Sequence, residues 1–591
     1  MGQQTVKKFI VRVLAIIGAL VVIAAFGGII AIIVAKKPVP SKVILEADFE
    51  NHLVEYVPDD PVARIVSGKA PTTILNVVEA LERASTDKRV AGLIARVGEA
   101  GLSLAEIQEI RDAVIAFRKS GKPAIAYAET FGEGGKGNGC YYLATAFDKI
   151  YLQPSGELGL AGLIFEIPFI RGTLDKLGFF PRMDHRSEYK TALNEITEKK
   201  FTPAHRESDE KIMDSYFGQI VSGIAQARGM SEDQVRSLID RGPFLADEAL
   251  QAKLVDKLAY RDAAYEDIKE KAGEHARFLY LSKYLDRAGS PYDEGTTVAL
   301  IYGVGAVNRG KSGYDPVFQE VTMGADTMAA AFRAAVDDKK VKAILFRIDS
   351  PGGSYVASDT IWRETVRARK AGKPIIVSMG GVAGSGGYFV AMSADKIVAQ
   401  PATLTASIGV FAGKALTTNF WNKLGISWDE VHTSSNAMVF TGLQDYTPEQ
   451  WARFETWLDR VYDDFTTKVA EGRKLPKEKV LEIAKGRVWT GEDAKGLGLV
   501  DELGGFPVAL RLVREAIGLP VDAKIRLKEF PRRKSPLEAL LHQGPDNSQK
   551  AGEETIARAL EIIQPLARVA RDLATTGESN VLRMPEVGAE P

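Results

Sequence analysis

Beyond residue 40 the chain alternates short, β-branched apolar runs with stretches of helical period. In the second half Val298 to Tyr302 reads as a strand, Thr327 to Val336 as a helix, and Ala343 to Ile348 as a strand buried on both faces. Ala357 to Lys370 reads as a helix, Pro374 to Ser378 and Lys396 to Ala399 as strands, and Tyr388 to Ala391 opens another helix. Pro448 to Ala470 is a long amphipathic helix. Strands alternating with helices predict parallel βαβ units, hence an α/β fold. After Lys528 the pattern breaks into Pro- and charge-rich sequence, with one amphipathic helix near Glu554 to Leu573 and a disordered end after Thr575.

The pattern also repeats. Val90 to Val97 parallels Val341 to Ile348, and Gly121-Lys122-Pro123 parallels Gly372-Lys373-Pro374. Asp148-Lys149-Ile150 parallels Asp395-Lys396-Ile397, and Lys176-Leu177-Gly178 parallels Lys423-Leu424-Gly425. Val255-Asp256 parallels Val500-Asp501, and the offset stays between 245 and 251. A period this long indicates duplicated domains, not a solenoid. The expected division is 41–290 and 291–530, separated in the polar stretch Arg287 to Gly295, with a tail over 531–591.

The opening of the chain has a different pattern. Val13 to Ala35 are 23 residues without a charge. As a helix they would extend about 34 Å, enough for a bilayer core of ~30 Å. A cleavable signal peptide would have a shorter apolar run and a small-residue cleavage site, whereas this run ends in Lys36-Lys37. The expectation is therefore an uncleaved anchor at 13–35. Lys7, Lys8, Arg12 and the α-amine outnumber Lys36 and Lys37, which keeps residues 1–12 in the cytoplasm and the folded body outside it.

Composition adds little but exclusions. The 591 residues are 45% hydrophobic with a net charge of −1, so nothing points to nucleic acid as a partner. The single Cys140 excludes an intrachain disulfide framework and a Cys-based metal site, and it lacks a Cys-His signature. No metal or other cofactor is expected.

Three stretches carry candidate chemistry. Asp349-Ser350-Pro351-Gly352-Gly353-Ser354 is a Gly-rich turn after a strand, whose amides can donate to an oxyanion. At the matching place in the first half stands Gly98-Glu99-Ala100-Gly101-Leu102, so one half keeps this turn and the other has lost it. Gly380 to Gly387, with Ser385 inside, reads as a second Gly-rich turn opening a helix; it lacks the lysine and spacing of a phosphate loop. Ser407 lies in Thr403-Leu404-Thr405-Ala406-Ser407-Ile408-Gly409, after a strand. Ser407 and Ser385 compete as nucleophile. A Ser-His-Asp triad stays open, since triads assemble across the chain, although none of the six histidines lies in a motif beside a strand end. The repeat favours Ser407: it aligns with Leu160, and conversely Lys190 aligns with Ala437, so serine and lysine each belong to one half. A shared site would need both halves folded together.

These stretches together resemble the long form of the signal peptide peptidase A family, membrane-anchored Ser-Lys proteases built from tandem ClpP/crotonase-like domains. The resemblance spans roughly residues 40 to 530. It rests on Tyr189-Lys190-Thr191-Ala192, Asp349 to Gly353, Ser385-Gly386-Gly387-Tyr388, Ser407-Ile408-Gly409 and Val488-Trp489-Thr490-Gly491. It implies Ser407 as nucleophile and Lys190 as general base, with Gly352 and Gly353, and Ser407 or Ile408, as oxyanion donors. A buried lysine loses its charge more readily, which such a base requires. A hydroxyl from Thr433-Ser434-Ser435 is a candidate to orient it. The sequence after Lys190 departs from the family, turning charged at Glu195, Glu198, Lys199 and Lys200. The resemblance further implies cleaved signal peptides as substrates, a homotetramer with apolar grooves toward the membrane, and a place in the bacterial inner membrane with the body on the periplasmic side. Two readings from other classes are an inactive scaffold of the same fold and a crotonase-type acyl-CoA enzyme; the latter lacks a glutamate near Ser385 or Ser407.

Overall fold

Two parallel sheets with one strand order carry the molecule. The computed structural model describes Gly18 and residues 38–51, 53–57, 71–273, 275–315, 320–532 and 581–583. The first sheet runs Lys257–Leu258, Lys149–Leu152, Ala124–Ala128, Val90–Val97, Val43–Phe49, Arg277–Tyr280, all parallel. In the second the order is Glu502–Leu503, Lys396–Ala399, Ile375–Gly384, Ala343–Ser350, Thr296–Val304, Ile525–Phe530, again parallel. Leu404–Ala406 joins the far end of Ile375–Gly384, and Val488–Thr490 pairs antiparallel to it. Helices cover the sheet faces, so the central strands are buried on both sides and read as unbroken apolar runs.

The sequence repeat has a cause in hydrogen bonding. Lys122 Nζ donates to the carbonyls of Ala84 and Asp87, capping a helix end, and Lys373 Nζ does the same to Ala335 and Asp338. Asp148 accepts from the Ala124 amide as Asp395 does from Ile375. Asp256 accepts from Ile150 and pairs with Arg228, as Asp501 does with Ile397 and Arg473. The 26-residue helices Pro203–Arg228 and Pro448–Arg473 each begin with a Thr N-cap followed by proline and end in a left-handed residue, Gly229 or Lys474. The repeated residues are those whose side chains tie off helix ends and strand starts.

The two halves share a core. One apolar cluster includes Leu45, Leu93 and Val114 of the first half with Leu345, Ile376 and Phe506 of the second. At its centre Arg347, fully buried, donates through Nε and Nη2 to Glu55, through Nη2 to Glu109 (2.7 Å), and through Nη1 to Ser378 and Met379. Both carboxylates come from the first half. Arg347→Met should therefore leave two buried carboxylates without their cation. We expect a loss of about 3–5 kcal/mol in the denaturation free energy; a change under about 1 kcal/mol would show that the trio contributes no such coupling. A second link is a two-stranded antiparallel ribbon in which Phe180–His185 pairs residue by residue with Phe411–Leu416.

Two sequence expectations need revision. The Pro374–Ser378 strand extends to Gly384, so Gly380 to Gly384 is strand and not turn. The end of the chain is not wholly without structure: Val581–Arg583 forms a strand antiparallel to Gly352–Ser354, made by backbone pairing that composition does not reveal. Apart from Gly18 the expected anchor at 13–35 lies outside the described residues, as does the Glu554–Leu573 helix. Among the described residues no helix is long and apolar enough to cross a membrane.

Candidate active site

The ribbon delivers a lysine to two serines. After Phe180–His185 the chain turns through Ser187, at φ 70°, with the Arg186 amide on the Val410 carbonyl and the Tyr189 amide on that of Lys485. Arg487 packs its guanidinium over the rings of Tyr189 and Trp489. Lys190 then points inward and is fully buried. Its passage needs glycine: a Cβ on Gly486 would lie 2.5 Å from Lys190 Cβ, and one on Gly409 would lie 3.1 Å from Lys190 Cδ.

Lys190 Nζ lies 2.9 Å from Ser385 Oγ, 3.0 Å from Ser407 Oγ and 3.0 Å from the Ser407 carbonyl. Burial alone holds its pKa well below the ordinary lysine value. Sequence separations of 195 and 217 residues are thus closed in one buried cluster. The two serines differ in their other partners. Ser407 Oγ also reaches the Gly486 carbonyl at 3.4 Å, and its amide donates to the Arg487 carbonyl. Ser385 Oγ meets only Lys190 among the described residues.

Both serines have strained backbones, with φ 50° at each. Ser385, with ψ −111°, stands directly before the helix Gly386–Ala391. A Cβ on Gly386 would lie 3.0 Å from the Gly353 amide nitrogen and 3.2 Å from Gly352 Cα, so this serine turn abuts the Gly-rich strand Gly352–Ser354. Of the oxyanion candidates, Gly352 spends its amide on Ser350 Oγ at 3.2 Å, Gly353 lies between the Val307 and Leu582 strands, and Ile408 is buried beside Ser407.

The matching family model, described as peptidase family S49, aligns twice, over residues 116–274 and 367–519. The chain belongs to peptidase family S49. Protease 4 of Salmonella typhi is 34% identical over 75% of this chain and 72% of its own length. Protease 4 of Haemophilus influenzae is 28% identical over 96% of both chains. The chloroplastic serine protease SPPA of Arabidopsis thaliana is 30% identical over 78% of this chain and 68% of its own. The protein is a mixed α/β serine protease with two S49 regions, a long SppA-type peptidase.

The lysine's surroundings in this S49 peptidase differ from the sequence expectation in one respect. Thr433, Ser434 and Ser435 are exposed and do not reach Lys190; the hydroxyls beside it are those of the two serines. The charged run after Lys190 leads away from its amine, with Lys199 and Lys200 exposed. None of His185, His205, His275 and His432 contacts either serine; His185 lies on the Ser187 carbonyl and His205 beside Asn194. Burial pushes the Cys140 thiol up to about 12, the reverse of an activated nucleophile. Sequence reading missed the Lys190–Ser385 contact and the need for glycine at 486. The only available signal was the 22-residue spacing of two serines that both follow strands.

Proposed function

We propose that this S49 peptidase is a membrane-anchored endopeptidase that cleaves spent signal peptides and similar apolar peptides with Lys190 as its base. The observation that carries the reading is a fully buried amine within 3.0 Å of two serine hydroxyls, held by burial below the ordinary lysine pKa. A neutral lysine takes the proton of an attacking serine and returns it to the leaving amine. A relative from Enterococcus faecium bears the name signal peptide peptidase SppA, which supports the substrate class.

Hydrogen-bond bookkeeping supports exchanging the roles of the serines. A neutral amine has two N–H donors and one lone pair. The Ser407 carbonyl can only accept, so it takes one N–H. Ser407 Oγ directs its proton to the Gly486 carbonyl and accepts the second N–H. The lone pair is left for Ser385, whose proton has no other acceptor among the described residues. We therefore assign attack to Ser385 and the orientation of Lys190 to Ser407. The strained turn before a helix suits a nucleophile held out for attack, and the amide after such a serine serves the oxyanion. Gly386 and Gly353 become the donors; Gly352 and Ile408 drop to supporting places. An extended substrate would lie along the Gly352–Ser354 edge, which accepts Val581–Arg583 as an added strand.

The rest of the proposal keeps the tandem ClpP/crotonase-like halves over 41–290 and 291–530, the 13–35 anchor with the body outside the cytoplasm, and a homotetramer. Exposed Trp428, Val431 and Phe440 support self-association. The test is to treat membranes carrying the full chain with a biotinylated fluorophosphonate. The adduct should map to Ser385 and stay in the pellet after alkaline carbonate extraction. An adduct on Ser407 would restore the first assignment; no adduct would favour an inactive scaffold, and labelled protein in the supernatant would remove the anchor.

A further inference from the structure

The strands Ala343–Ser350 and Ile375–Gly384 keep one register as far as Ile348 opposite Met379, then resume with Ser350 opposite Ala383. Asp349 alone faces Gly380, Gly381 and Val382. Such a bulge takes amides out of the ladder, and buried amides need acceptors. The Asp349 carboxylate supplies one: Oδ1 accepts from the Val382 amide at 2.9 Å, and the Gly381 amide also donates to this carboxylate. The space is full. A Cβ on Gly380 would come 2.9 Å from Glu55 Oε1 and 3.2 Å from Asp349 Oδ1, and one on Gly381 would come 2.7 Å from Ser103 Oγ.

Both arms of the site leave from this point. Four residues after Asp349 comes Gly353, and three after Val382 comes Ser385. Ser350, between them, accepts from the Gly352 amide and donates to the Gly305 carbonyl. We propose that Asp349 is a positioning residue for peptide hydrolysis, clamping the bulge so that Ser385 faces the Gly353 amide. The proposal rests on the assignment of Ser385 and Gly353 made above.

The clamp is titratable. Asp349 is faced by Glu55 from the loop before the first helix, by Glu106 from the Leu104–Arg118 helix and by Arg347 from its own strand; Glu109 stands beyond Arg347, and the bulge itself offers no ionisable group. Burial first, then Glu55, push the Asp349 carboxyl up to about 6, while burial, Glu55 and Asp349 push Glu106 up to about 8. Near neutrality Asp349 is ionised and Glu106 holds its proton. The ionised carboxylate makes the stronger bonds to the two amides. Because its folded pKa is raised, Asp349 contributes stability fully present below the unfolded value of 3.8 and lost as pH rises through about 6. Ionisation thus costs folding stability even as it charges the two bonds that aim the bulge.

The experiment compares full-length wild type, Asp349→Asn and Asp349→Ala on a fluorogenic peptide from pH 5 to 9. For Asp349→Asn we expect kcat at pH 7.5 to fall about 10- to 100-fold, as for a small misplacement of reacting groups, with KM within about two-fold. Asp349→Ala should fall further. On the acid side, the slope of log kcat/KM should drop from two to one, leaving the Lys190 ionisation. Wild-type kcat or an unchanged slope in Asp349→Asn overturns the proposal. If that variant does not fold, hydrogen exchange on wild type decides. Opening the bulge returns the Asp349 carboxyl toward its ordinary value, so protection of residues 380–384, corrected for intrinsic rate, should fall about ten-fold between pH 5 and 7; constant or rising protection overturns it. Activity remaining in Ser385→Ala would sink the nucleophile assignment instead and would leave the exchange result untouched.

Discussion

Ser385→Ala should stop peptide cleavage, and Ser407→Ala should only slow it. Removing a nucleophile that acts as a unit with its base costs about 10⁴- to 10⁶-fold in kcat. Removing Ser407 Oγ takes one of two acceptors from the Lys190 amine while its own carbonyl, 3.0 Å away, remains. The lysine keeps its reach to Ser385 and loses some of its aim, worth about 10- to 100-fold. Cleavage of a fluorogenic peptide by each purified variant, with circular dichroism as a check on folding, measures both. The reverse order of damage would return the attack to Ser407 and make Ser385 the orienting hydroxyl.

Lys190→Met should give a dead enzyme that is harder to unfold. Activity should fall by about 10⁴-fold or more, since among the described residues no other base lies beside the serines. Folding holds Lys190 neutral at pH values where the unfolded chain protonates it, so unfolding takes up a proton. Its contribution to stability therefore rises with pH from the lowered folded value toward 10.5, and is lost as pH falls. Methionine titrates in neither state and fills much the same space. The variant's advantage in denaturation free energy should widen by about 1.4 kcal/mol per pH unit on descending through that window. Denaturant titrations at several pH values check this. An advantage independent of pH would mean that Lys190 is not held neutral.

Residues whose side chains do a repeated job were legible in the sequence. Lys122 and Lys373, Asp148 and Asp395, Asp256 and Asp501 recur because each ties off the same backbone groups in each half. The pairing of Lys190 with a serine of the opposite half was legible too, since each lacks a counterpart in the other repeat. The division of labour proposed for Ser385 and Ser407 was not. It depends on the Gly486 carbonyl, a backbone atom 79 residues from Ser407 that carries no sequence signature. The run Gly380 to Gly387 reads as a turn for a related reason. Its first residues stay in a strand because one carboxylate from the neighbouring strand replaces their missing ladder bonds. The Val581–Arg583 strand lay hidden in a polar tail because backbone pairing carries no sequence signature.

The ribbon between Phe180–His185 and Phe411–Leu416 also sets a timetable. A ribosome makes Lys190 well before either serine and must pass residue 416 before the second ribbon strand exists. The strand Ile525–Phe530, which closes the edge of the second sheet beside Thr296–Val304, follows later still. A chain interrupted midway therefore carries Lys190 without either serine. A fragment that begins after Lys190 carries both serines without that amine. On the mechanism proposed above neither piece hydrolyses a peptide, and activity waits until both strands of the ribbon have been made.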